Sequence, residues 1–309
     1  MSIDLCIYDK CNNRCLMCTN PDGPWPAWDG SFDYDYKSII NRLENAKDRV
    51  KSSDSIYITG GEPTLHPDFI KILKYLKQHF PKQQIKLLTN GRRFSYQNFA
   101  NDVLNINQNF EIDLSIYGPN SEIHDKITRS KNSFNQTCTG LSNLLSQKQI
   151  GQIVGVRIVL TKMSYRYINK MIDLIKTRFN QVDRVVVIFP EIEAQAVKNL
   201  GKVKITYQNV RPHIESVFSQ IKYFKEIRFY HFPLCVLDKK FWPFIWRTVP
   251  ENELTFLKEC QKCNYKEYCH GIQKEYLKHV GRKDFSPIKE NIKIRKTNDF
   301  YRPIKSIQM

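Results

Sequence analysis

The chain has 309 residues, 41% of them hydrophobic, with 48 Lys and Arg against 31 Asp and Glu for a formal net charge of +17. That length suits an α/β barrel with a small appendage, and the apolar fraction can fill a sizeable core. No apolar run of about 18 residues exists, which excludes a membrane helix, and Met1–Cys6 lacks the basic and apolar regions of a secretory signal. Nine cysteines, tightly clustered in a large chain without a signal, point to metal binding in a reducing cytoplasm rather than to disulfides. The charge reads either as attraction to nucleic acid or acidic peptides or as a Lys-rich composition over solvated faces. The one concentrated basic run is the tail from Lys289 to Lys305.

Strand and helix patterns alternate along the chain, implying βα units and a parallel sheet. Ile3–Tyr8 reads as the first strand and Tyr36–Val50 as a helix. Ser55–Thr59 is the second strand, followed by a helix opening with Pro67 and Asp68. That helix continues through Phe69, Ile72, Leu73, Leu76 and Phe80 at helical spacing. Ile85–Leu88 and Ile112–Tyr117 are strands three and four, with a helix over Ser133–Ser146 after them. Ile153–Leu160 and Arg184–Phe189 supply strands five and six, separated by a helix over Tyr165–Phe179. Glu191–Lys202 reads as a linker or elaborated loop, and a helix is expected over Val210–Phe224.

Cys11-x3-Cys15-x2-Cys18 follows the first strand, and Gly60-Gly61-Glu62-Pro63 follows the second. Three thiolates on one loop can hold three irons of a cubane and leave the fourth open, whereas electron-transfer clusters take four cysteines. An open coordination position is where metals do chemistry. The rival reading of the thiols alone is a zinc knuckle. With the Gly-Gly-Glu run downstream, the pattern resembles the radical S-adenosylmethionine (SAM) superfamily. The resemblance covers roughly Ile3 to Gly271 and implies a partial (β/α)6 barrel. It also implies a [4Fe–4S] cluster on Cys11, Cys15 and Cys18, whose open iron chelates SAM and whose electron generates a 5′-deoxyadenosyl radical. In parallel barrels chemistry sits at the carboxyl ends of the strands. Cys11–Cys18, Gly60–Glu62, Asn90-Gly91 and Ser115–Gly118 all fall at such ends.

The same resemblance assigns SAM contacts. Gly60 and Gly61 suit a turn that a ligand approaches closely, and Glu62 matches the glutamate that meets the SAM amino group. Met17 stands where an aromatic often faces adenine. Asn90 and Ser115 occupy strand ends that meet ribose or the methionine part of SAM, or else act as turn and cap residues. His124 caps a helix or faces substrate, and Glu191 and Glu193 follow the sixth strand as hydrogen-bond acceptors or solvated surface groups. Trp25, Trp28, Phe32, Tyr34 and Tyr36 make an aromatic-rich loop, either a cover for the cluster or ordinary surface packing.

Cys260-x2-Cys263-x5-Cys269 follows the isolated Cys235. Four thiolates complete a [4Fe–4S] cluster or a tetrahedral zinc site, with His270 as an alternative zinc ligand; spacing does not separate the two. The pattern resembles the SPASM extension, or its one-cluster form called twitch, that accompanies some radical SAM barrels. Gln273 stands where SPASM would place the next cysteine and none follows Cys269, which excludes a two-cluster SPASM domain. Cys6 and Cys138 read as buried small apolar residues.

These readings divide the chain into a barrel over residues 1–200, an auxiliary-cluster region over 201–284 and a basic tail over 285–309. The resemblance implies hydrogen abstraction from a peptide or protein side chain, with acidic precursor peptides attracted by the charge. It also implies an electron donor such as ferredoxin or flavodoxin. A barrel starting so near Met1 leaves leader capture to a separate peptide-recognition protein or to the carboxyl-terminal region. A transfer RNA or nucleotide substrate is the alternative, with Phe300 and Tyr301 able to stack on bases. A non-catalytic metal-binding partner protein is the third.

Overall fold

The computed structural model describes residues 2–20, 26–27 and 30–308. Trp25 and Trp28 of the aromatic-rich loop lie outside them; Tyr34 is buried and Phe32 exposed.

The expected strands are β1 (Ser2–Tyr8), β2 (Ser55–Gly60), β3 (Gln84–Thr89), β4 (Phe110–Ser115), β5 (Ile153–Val159) and β6 (Arg184–Ile188). Two more follow, β7 (Ile227–Tyr230) and β8 (Ile245–Trp246), and all eight pair in sequence order. Every ladder in this sheet is parallel. The six-stranded expectation is therefore extended by two strands. With four and two residues, β7 and β8 are too short for alternation to show in sequence. The sheet thus runs well past residue 200. No ladder joins β1 to β8 among the described residues, so the barrel is open along that seam.

One face of each strand carries the core. Leu5, Ile58, Leu87, Ile112, Val156 and Val185 are each 1% exposed or less, and helices such as Phe69–His79 cover that face with Phe69, Ile72, Leu73 and Leu76. The helix expected over Tyr36–Val50 breaks at Ala46 into Tyr36–Asn45 and Lys47–Lys51. The linker expected over Glu191–Lys202 holds two short helices, Ala194–Lys198 and Leu200–Val203. The helix expected over Val210–Phe224 begins earlier, capped by the Thr206 side chain, and gives way after Ser216 to a 3-10 turn. Helices Gln97–Leu104 and Ser121–Thr128 were not expected; at eight residues each, their apolar stripes span barely two turns. Beyond β8, Leu254–Thr255 pairs antiparallel with Ile272–Gln273. The basic tail folds as a hairpin of Ile294–Lys296 with Ile304–Ile307, anchored by Ile304 at 1% exposure.

Candidate functional site

The ends of β1 and β2 are stitched together under the first cysteine group. Gly61 N donates to Tyr8 O at 2.7 Å and Glu62 N to Lys10 O at 2.8 Å. A Cβ on Gly60 would stand 2.2 Å from Tyr8 O, and one on Gly61 2.3 Å from Lys10 O. Gly60 also has a φ of +134°, a conformation that side chains disfavour. Both glycines line the cavity described below, but the bareness expected to admit a ligand is used first by the protein's own backbone.

Glu62 points into the protein. At 1% exposure, its Oε1 accepts from Thr64 Oγ1 and Thr89 Oγ1, both at 2.6 Å, and its Oε2 accepts from Asn90 N at 2.6 Å. Burial raises its pKa against these hydrogen bonds. The carboxylate thus ties the glycine turn to the end of β3, and Oε2 keeps acceptor capacity to spare. Asn90 carries the link onward: its Nδ2 donates to Asn12 Oδ1 at 2.7 Å and reaches Cys11 Sγ at 3.9 Å.

Arg92, which the sequence reading missed, clamps the same loop. It donates to Asn12 O at 2.6 Å, Asn13 Oδ1 at 2.8 Å and Gln136 Oε1 at 2.7 Å. From the other side, Arg14 N and Leu16 N donate to Thr128 O and Ile127 O, each at 2.9 Å. His124 is settled as a structural group. Its Nδ1 accepts from Tyr117 N at 3.2 Å, its ring lies against Phe134, and burial lowers its pKa to about 4.

A cavity of about 790 Å3 runs from the cysteine loop down the barrel. Cys11, Cys15, Met17, Cys18, Asn90 and Ser115 all line it. Cys6 lines it too; half-buried, with its Sγ 3.7 Å from Tyr34 Oη, it is not the core residue expected. Cys138 is buried as read. Below the loop the lumen is charged. Arg184 bonds Asp113 at 3.1 Å and also Glu111, and Lys86 lies 3.7 Å from Glu111. Arg157, beside Ser115 in the β4–β5 register, differs. Among the described residues its guanidinium meets no acceptor at contact distance. It sits 5.8 Å from the Tyr230 ring centroid and near enough to Glu191 to draw that buried carboxyl down against its burial. Glu191 lines the cavity, with His231 Nε2 3.5 Å away. Glu193 stands outside the lining residues, its pKa raised by burial and by neighbouring glutamates.

The thiols of each group sense one another. Burial, then Glu62 and Cys18, pushes Cys11 up to about 11 against a hydrogen bond from Asn13 N; Cys15 is pushed up further by burial, Cys18 and Cys11. Tyr117 stands against Cys15 in the same cavity wall. In the second group, burial and then Cys269, Cys260 and Cys263 push Cys235 up to about 12. Backbone donors converge on it: Ile288 N reaches Cys263 Sγ and Gly271 N reaches Cys269 Sγ, each at 3.4 Å. Among the described residues no three Cys, His, Asp or Glu side chains converge on a single-ion site. Thiols gathered in two groups and met by backbone N–H donors suit a charged inorganic group that makes them thiolates.

The radical SAM superfamily model matches residues 5–175, the stretch that carries the cysteine loop, the glycine turn and strands β1 to β5. The chain belongs to the radical SAM superfamily. It is accordingly an enzyme of the radical SAM type, which displaces the non-catalytic reading. It is 35% identical over 91 residues to GTP 3′,8-cyclase of Haemophilus influenzae, 29% of this chain and 26% of that protein. It is 30% identical over 134 residues to the mycofactocin maturase MftC of Mycolicibacterium smegmatis, 43% of this chain and 31% of that protein. Among solved structures, Streptococcus suis SuiB bound to its precursor peptide SuiA superposes with a TM-score of 0.53 at 19% identity. That likeness covers 72% of this chain and 46% of SuiB, and concerns the fold. The curated relatives are thus matched over about a quarter to a third of their length. In the described residues no helix is long and apolar enough to cross a membrane.

Proposed function

We propose that this radical SAM enzyme abstracts hydrogen from a side chain of a peptide or protein. The observation that carries the substrate class is the open seam of the barrel. Ser2 and Asp4 of β1 and Trp246, Thr248 and Tyr301 on the β8 side line the same cavity on either side of that seam, an arrangement that suits an extended chain. The maturase MftC and the peptide-bound SuiB support the same reading by what they act on or bind.

Cys11, Cys15 and Cys18 would hold the [4Fe–4S] cluster. With SAM bound there, the cluster would supply the electron for cleavage of the sulfonium S–C5′ bond to a 5′-deoxyadenosyl radical. Met17, buried in the cavity wall, packs an apolar face toward adenine. The Gly60–Gly61 edge, Asn90 and Ser115 meet the methionine end, and Arg157 supplies the charge for its carboxylate. Glu62 holds the glycine turn in register from inside the protein. Arg184 and Lys86 together balance Glu111 and Asp113 in the lumen and keep its walls fixed. Cys235, Cys260, Cys263 and Cys269 would hold a second [4Fe–4S] cluster, with zinc as the alternative.

A nucleotide substrate is the second reading. It is favoured by Lys86, Arg157 and Arg228 with Tyr57, Tyr230 and Trp246 in the lumen, and by the GTP 3′,8-cyclase relative. One experiment separates them. The anaerobically reconstituted enzyme, with SAM and dithionite, is offered a library of side-chain-deuterated acidic peptides or, separately, deuterated GTP. Deuterium appearing in 5′-deoxyadenosine from a peptide supports the proposal; deuterium appearing only from GTP overturns it.

A further inference from the structure

Two side chains of the barrel cavity, Glu191 and His231, have no part in the chemistry of the cysteine loop. They follow β6 and β7, and both line the cavity. His231 is fixed twice over. Its backbone has a φ of +69°, a strained conformation for a residue with a side chain, which persists only where the surroundings impose it. Tyr207 Oη donates to His231 O at 2.7 Å, and the ring Nδ1 meets Phe189 O at 3.0 Å. A carbonyl only accepts, so Nδ1 carries the proton and donates it. Burial lowers the pKa of the ring to about 4, which leaves Nε2 a bare acceptor at neutral pH.

Glu191 Oε1 lies 3.5 Å from that Nε2, a gap longer than a charge-assisted hydrogen bond. Burial raises the pKa of Glu191, and Arg157 draws it back toward the ionised form. Two acceptors therefore face each other in the cavity wall, and a donor entering between them would satisfy both. The surroundings favour a positive donor. Burial and the charge of Glu191 raise the pKa of both Glu193 and Glu253, so the three carboxylates share one negative field. Immediately before the pair, Val159, Ile188 and Tyr230 stand in one row across β5, β6 and β7. All three line the cavity.

We propose that Glu191 and His231 form a subsite for a substrate lysine, whose ammonium bridges Glu191 Oε1 and His231 Nε2 while its methylenes lie along Val159, Ile188 and Tyr230. A lysine brings several N–H donors on an apolar stem, which matches paired acceptors beside an apolar row. A norleucine of the same length would bury both acceptors without a donor, a penalty that exceeds the net worth of an ordinary hydrogen bond. The subsite rests on the peptide reading given above. It sets which peptides are accepted and gives the lysine no part in the radical step.

The test uses the reconstituted full chain with SAM and no reductant, so that binding is read without turnover. Acidic peptides acetylated at the amino terminus carry lysine at one scanned position, each with a norleucine counterpart, and fluorescence anisotropy gives their affinities. The best lysine peptide should bind about tenfold or more tighter than its norleucine counterpart. Glu191→Gln should bring the lysine peptide to the norleucine level, leaving the norleucine peptide's affinity and the iron content as in wild type. Equal affinities in the wild type, a lysine preference undiminished in the variant, or a loss shared by both peptides overturns the subsite and leaves the peptide reading standing. Binding of neither kind of peptide, with deuterium drawn only from GTP, overturns the peptide reading and the subsite with it.

Discussion

Gly61 and Lys10 are pressed together: a single methyl group on Gly61 would stand 2.3 Å from the Lys10 carbonyl oxygen, and Lys10 immediately precedes Cys11. The obstacle is backbone, which cannot rotate aside. Gly61→Ala should therefore displace the cysteine loop. The purified variant should lose about four irons per chain on reconstitution, with a far-ultraviolet circular dichroism spectrum close to wild type. Full iron content would show that the loop yields without cost.

The two cysteine groups should separate cleanly. Cys15→Ala should abolish SAM cleavage while leaving most of the fold. Iron and zinc counts on a Cys260/Cys263/Cys269→Ala variant decide the other group. A drop from about eight irons to about four indicates two cubanes; about four in both proteins, with zinc lost from the variant, makes the second group a structural zinc site.

Among the described residues Arg157 has no acceptor at contact distance, so its removal should cost the fold little. Arg157→Leu should weaken SAM binding about tenfold or more, the loss of one charge-assisted hydrogen bond, with the urea midpoint unchanged. Equilibrium dialysis of labelled SAM measures it, and unchanged affinity would place Arg157 on the substrate instead.

His124 gives the protein a pH dependence of known sign. Its folded pKa of about 4 lies below the ordinary 6.5, because the buried ring must stay neutral to accept from Tyr117 N. The unfolded chain then binds more protons as pH falls, so stability present above about pH 6.5 is lost toward pH 4. The full loss from this group is roughly 2–4 kcal/mol. Urea unfolding at pH 7 and at pH 5 measures it, and His124→Asn should flatten the difference by replacing the imidazole with a non-titrating acceptor.

Arg184 is 4% exposed and shared by Glu111 and Asp113. Arg184→Met leaves buried Asp113 without its cation and Glu111 with Lys86 alone, and should cost about 3–5 kcal/mol of stability. Adding Glu111→Gln and Asp113→Asn should recover much of it, which denaturant unfolding of the triple variant would show.

Much of the site was legible because its signals are local. Three thiols within eight residues need no tertiary contact to declare a metal site, and apolar strands five to seven residues long declare themselves. The lumen was harder to read, although β4 alternates Phe110-Glu111-Ile112-Asp113-Leu114. Charged residues at every second position of a strand ordinarily mean water on that face. Here they meet Arg184, 73 and 71 residues away.

The sequence alone determined the chemistry: the spacing of Cys11, Cys15 and Cys18, the glycine turn at a strand end, and the parallel βα succession are short-range facts. Only the tertiary structure decided what those residues face. Gly60 and Gly61 accommodate the backbone of Tyr8 and Lys10, Glu62 joins β2 to β3, Cys6 opens into the cavity, and two short strands extend the sheet. Each depends on which segment lies opposite, and that is fixed by packing across tens of residues rather than by any pattern within one of them.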